Sequence, residues 1–135
     1  MVNLLIVLIH QLMYNEDVKL NKIKKGLNIM TDFKEKCIKE VKSMAKEINE
    51  LREDYDKFYE YFNDVLDVEY RIASNGSYRG AYIYLTLGGP NIWVDTFKGT
   101  IELRWGYDSA SWLLSVEIVE MIDDMFKELY SCLKY

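Results

Sequence analysis

The chain has 135 residues, half of them hydrophobic and 14% aromatic, which is apolar material enough for one domain core and unlike a disordered composition. Its formal charge is −5, with 22 acidic residues against 17 basic, and that field repels phosphate and disfavours direct binding to nucleic acid. His10, Cys37 and Cys132 fall short of the roughly four N or S ligands of a zinc site and of a disulfide framework. No metal and no cofactor is therefore expected, and a reducing cytoplasm is the simpler setting.

The chain opens on the apolar run Leu4–Ile9, too short for the roughly 20 residues of a membrane span and without the basic leader of a signal peptide. The expectation is a short buried element in an N-terminal extension, residues 1–30, that carries a net charge of +2. Residues 31–135 then form a single α+β domain with a net charge of −7. Thr31 and Asp32 directly follow Met30 and read as the cap of the first strong helix, so a translation start at Met30 is a further expectation.

Asp32 with Glu35 forms a capping-box pattern. Beyond it, Cys37, Val41, Met44, Ile48, Leu51, Tyr55, Phe58, Phe62 and Val65 recur in steps of four and three, which predicts one long helix over residues 32–66 with a coiled-coil seam. From Asp67 the period becomes two. Val68, Tyr70 and Ile72 alternate with polar residues up to the Asn75-Gly76 turn, a strong hairpin signal. Strands are predicted over Tyr78–Leu87, Asn91–Phe97 and Thr100–Tyr107, broken by Gly88-Gly89-Pro90 and turned at Lys98-Gly99. Ser115 caps a last helix with the apolar stripe Val119, Ile122, Phe126, Leu129 and Leu133. The fold class is α+β: a long N-terminal helix, a four-stranded antiparallel meander and a C-terminal helix, both helices on one sheet face.

A two-residue Lys98-Gly99 turn sets Asp95 opposite Glu102, Val94 opposite Leu103 and Trp93 opposite Arg104. Ile92, Val94, Ile101, Leu103 and Trp105 then point to the core with Ala81, Ile83, Leu85 and Leu87. Tyr82, Tyr84, Trp93, Asp95, Phe97, Glu102 and Arg104 point outward, together with Tyr78. Eleven tyrosines suit half-buried faces, and large rings on an open sheet face mark a recognition surface. The Asp95–Glu102 pair has no accompanying nucleophile or histidine, so the surface reads as binding and not catalysis. The Gly-Gly-Pro turn lacks the ending of a phosphate loop.

The stretch Leu87-Gly-Gly-Pro-Asn-Ile-Trp-Val-Asp-Thr96, then Glu102-Leu-Arg-Trp-Gly106 and Asp123-Asp-Met-Phe-Lys-Glu-Leu-Tyr130, resembles small phage and mobile-element proteins of the anti-CRISPR kind. The resemblance implies a non-enzymatic inhibitor whose partner is a CRISPR effector nuclease in the host cytoplasm. Acidic helices bearing Glu47, Glu50, Glu53, Asp54, Asp56 and Glu117, Glu120, Asp123, Asp124 suit a basic groove on such a partner. Two other readings stand beside it: a self-assembling protein dimerising through the heptad helix, and an RNA-binding module stacking bases on the aromatic sheet face.

Overall fold

The computed structural model describes the backbone of residues 2–133 and the side chains of residues 9, 15–25 and 31–133. Two compact units follow one another in the chain, Met1–Glu35 and Lys36–Tyr135. Helix α1 spans Val2–Glu50, so the helix start expected at Asp32 is corrected. No proline falls in this span, and its one glycine, Gly26, costs only about 1 kcal/mol relative to alanine, which leaves nothing to stop the helix ahead of Asp32. The expected packing of the Leu4–Ile9 run falls outside the described side chains, except that Ile9 is exposed. No helix among the described residues is long and apolar enough to cross a membrane.

The helix expected over residues 32–66 is broken in the second unit. A single 3-10 turn, Leu51–Glu53, separates α1 from α2, Tyr55–Asn63. Asp54 causes the break: it adopts an extended backbone (φ −139°, ψ 99°), and its side chain accepts the Lys57 N–H at 3.2 Å. An aspartate that can cap the next turn competes with continuing the previous one. The apolar seam is accordingly divided between two helices. Cys37, Val41, Ala45, Ile48, Phe58 and Phe62 are buried within this unit, whereas Met44 and Leu51 are half-buried and Tyr55 is exposed.

After α2 the chain makes a five-stranded antiparallel meander, β1 (Asp67–Ile72), β2 (Tyr78–Thr86), β3 (Asn91–Asp95), β4 (Thr100–Trp105) and β5 (Asp108–Leu113), in that spatial order. The first hairpin is as the Asn-Gly pair predicts, with Gly76 at φ +85° and the Asn75 side chain accepting the Ser77 N–H. The fifth strand is an addition to the four expected. Its residues Ser109 and Ser111 give little β signal, yet Ala110 pairs with Leu103 and Trp112 with Ile101.

Helix α3, Val116–Cys132, closes the domain behind the Ser115 cap, whose side chain accepts the Ile118 N–H at 3.3 Å. Ile118, Ile122 and Phe126 are buried, while Leu129 and Leu133 of the expected stripe are exposed.

One face of the sheet is the core. Ala81, Ile83, Ile92, Val94, Ile101 and Leu103 are all buried there, and helices cover it. Tyr130 of α3 stacks at 5.2 Å from Tyr70, Lys42 of α1 lies 5.4 Å above the Trp112 ring, and Phe62 of α2 meets Phe126 edge-on at 6.4 Å. Trp105, expected in this core, lies at its margin and is exposed.

Two bulges in β2 adjust the alternation. The register shifts past Arg79, so that Tyr78 turns toward α3 and donates to Asp123 at 2.7 Å, correcting its expected outward placement. A second shift at Leu85 leaves that residue half-buried and Leu87 exposed, so neither completes the core as expected.

Phe126 of α3 is buried and meets Phe62 of α2 edge-on, and Phe126→Ala should cost about 3–5 kcal/mol, read as a lower urea midpoint at unchanged slope. Burial, and then the Glu47 carboxylate, push the Tyr61 phenol up to about 12. Burial and the bond to Asp123 likewise raise Tyr78. The folded state thus holds these protons more tightly than the unfolded chain. The stability they contribute is complete below the ordinary tyrosine value of about 10 and is lost as pH rises from there toward 12. The urea midpoint should therefore fall between pH 9 and pH 12, and Tyr61→Phe should reduce that fall.

Candidate functional site: the open face of the sheet

Antiparallel pairing sets the outward side chains in rows across the five strands. One row runs Asp67, Tyr84, Trp93, Glu102, Ser111. The next runs Glu69, Tyr82, Asp95, Thr100, Leu113, and Asn91, Arg104 and Ser109 make a shorter row at the far end. The β3–β4 connection is the four residues 96–99 and not the expected two-residue turn, so every pair slides by two positions. A two-residue slide preserves which face each side chain occupies. Tyr82, Tyr84, Trp93, Glu102 and Arg104 therefore share the outer face as expected, while their neighbours change. Trp93 now faces Glu102, and Asp95 faces Thr100.

Asp95 is corrected as a contact residue. It is only 2% exposed, and its Oδ1 accepts the N–H groups of Phe97 and Lys98, each at 3.0 Å. These two bonds satisfy donors that the 96–99 connection would otherwise leave unpaired. The carboxylate shapes the loop, and the loop places Phe97. Phe97 is 54% exposed and lies over Gly80, where an added Cβ would come within 3.0 Å of the Phe97 Cβ. The Arg71 guanidinium sits 3.9 Å from the Phe97 ring centroid, a cation–π contact that helps hold the ring.

The remaining rings are similarly held. Tyr84 and Trp93 are tilted neighbours with centroids 6.2 Å apart, and the Tyr84 hydroxyl donates to Glu69 at 3.3 Å. Burial and then the Glu69 charge raise the Tyr84 phenol, which keeps it a neutral donor. Glu102 accepts from Thr100 at 2.8 Å and from Ser111 at 3.2 Å.

The expected cross-strand pair of Asp95 and Glu102 is thus absent, and each carboxylate is engaged in its own hydrogen bonds. Arg71 and Glu69 belong to the site and are missing from the sequence reading. Their outward parity on β1 was the available signal.

Charge on this face is mixed. Asp67, Glu69 and Glu102 lie in the two central rows, Arg71 and Arg79 flank Phe97 at one end, and Arg104 stands at the other. The acidic helix runs are also partly structural, because Asp54 caps α2 and Asp123 accepts from both Tyr78 and Thr96. Among the described residues, no group of three or more His, Cys, Asp or Glu side chains could hold a metal ion.

Removing the Asp95 carboxylate leaves its two backbone donors without their partner, so Asp95→Ala should cost about 1–3 kcal/mol. Glu102→Ala, at a half-exposed position, should cost less than about 1 kcal/mol. Chemical denaturation of the two variants side by side measures the difference.

Compared with protein-family models, curated proteins and solved structures, the chain matches none.

Proposed function

We propose that the chain is a non-catalytic binding protein that docks another protein on the outer sheet face, and that this partner is a CRISPR effector nuclease which it inhibits. The observation that carries the docking surface is the row of Tyr84 and Trp93 beside Tyr82, with Phe97 stacked under Arg71, on a face whose opposite side is the buried core. Tyrosine, tryptophan and arginine concentrate the binding energy of protein interfaces. Here the Glu69 bond, the Arg71 stack and the Asp95-capped loop pre-position them, so little side-chain freedom is lost on docking.

The mixed signs favour a protein partner over a nucleic-acid backbone. A phosphate chain requires a continuous basic track, and Glu69, Asp67 and Glu102 interrupt any such track across the central rows. Surfaces with interspersed charges instead gain specificity by matching opposite signs on the partner. The nuclease as partner rests on the resemblance of Leu87–Thr96 and its flanking segments to anti-CRISPR proteins.

A panel of purified CRISPR effector nucleases with guide and target DNA tests this reading. The chain should stop cleavage by one of them at near-equimolar ratio, and Trp93→Ala/Phe97→Ala should weaken inhibition at least about 100-fold, the loss of two hot-spot rings. Unimpaired cleavage across the panel would contradict the nuclease as partner. Tight binding of a labelled single-stranded RNA, abolished by the same double variant, would favour the base-stacking reading.

A further inference from the structure

A second surface lies away from the sheet's outer face, between α2 and α3. A groove of about 440 Å³ runs there, floored by Phe58 and walled by Tyr59, Met125 and Leu129. Tyr59 is 50% exposed and Leu129 45%, so large apolar groups stand in solvent at this groove. Its charged lining residues are Asp124 and Glu128, both acidic, and no lysine or arginine lines it. An apolar trough with an acidic rim and methionine in its wall suits the apolar face of a basic amphipathic helix.

The chain itself contains such a helix. Within the first unit, Leu20 and Ile23 are 53% and 51% exposed. Helical spacing sets these two on one face, with Lys19 and Lys24 at its two borders. Residues 18–25 carry four lysines and no carboxylate, against a domain whose net charge is negative.

We propose that the chain self-associates by seating the 18–25 segment of one copy in the α2–α3 groove of a second copy. Leu20 and Ile23 enter the trough, and Lys19 and Lys24 meet Asp124 and Glu128 on its rim. The exchange is reciprocal, so each copy gives one helix and receives one, as a two-fold dimer requires. This contact differs from a coiled-coil seam through residues 37–62, of which Cys37, Val41, Ile48, Phe58 and Phe62 are already buried within the domain. It also leaves the outer sheet face untouched, so it stands or falls independently of the inhibitor reading.

The test is a charge exchange on the full chain, read by light scattering after size exclusion at about 50 µM, where micromolar dimers persist. The wild type should show twice the chain mass. Lys19→Glu/Lys24→Glu places acid against acid, and Asp124→Lys/Glu128→Lys places base against base, so each variant alone should run as a monomer. An equimolar mixture of the two restores opposite charges at both contacts and should recover the doubled mass. All four positions are exposed, and unchanged far-UV circular dichroism confirms that the variants fold. A monomeric wild type overturns the proposal. So does a doubled mass that either variant keeps by itself, or a mixture of monomeric variants that stays monomeric.

Discussion

The domain depends on the Thr96 hydroxyl. Its oxygen accepts the Ala81 N–H at 2.8 Å and donates to Asp123 at 2.9 Å, while Asp123 also accepts from Tyr78 at 2.7 Å. Three elements that are distant in sequence meet in this one network: β2, the β3–β4 connection and α3. Because the groups are partly or wholly buried, an unmade bond there would cost more than a made one gains. The network therefore specifies how α3 lies on the sheet. It also accounts for the bulge at Arg79, which turns Tyr78 inward to reach Asp123. Without that turn, Tyr78 would follow Tyr82 and Tyr84 onto the outer face.

Anchoring the β3–β4 connection from the core side has a consequence on the opposite side. Thr96 is held down and Asp95 caps the residues that follow it, so Phe97 projects over Gly80 toward Arg71. The core network and the outer aromatic surface thus share one short segment, residues 95–97, with neighbouring side chains serving opposite faces. A surface built this way is held by the core scaffold, and under the proposed docking role no separate loop would have to order on binding.

Much of this was legible in the sequence because period-two alternation survives a register slip of two residues. Val94 and Ile101 point inward whether the turn has two residues or four, and so Trp93 and Glu102 share the outer face in either case. What alternation cannot reveal is the exact partner across the strands, which depends on the Asp95 cap.

The bulges were hidden for a related reason. Arg79 and Leu85 are ordinary strand residues, and only the tertiary demand of Asp123 for Tyr78 exposes the first slip. β5 was missed because its serines carry little strand propensity and its pairing to β4 supplies the order instead. The break at Asp54 shows the opposite case. In the sequence Asp54 is one more acidic residue beside an apolar seam that suggests continuity, and the local hydrogen bond to Lys57 prevails over it.

The central claim is that the outer face is an available and preformed docking surface, and hydroxyl-radical footprinting of the free chain tests it most directly. Phe97, half exposed, should be oxidised at least about tenfold faster than the buried Phe62 and Phe126, a contrast set by solvent access alone, with Tyr84 and Trp93 falling between. Equal protection of Phe97, Tyr84 and Trp93 with the core phenylalanines would mean that the face is already covered in the free chain, and would contradict the account.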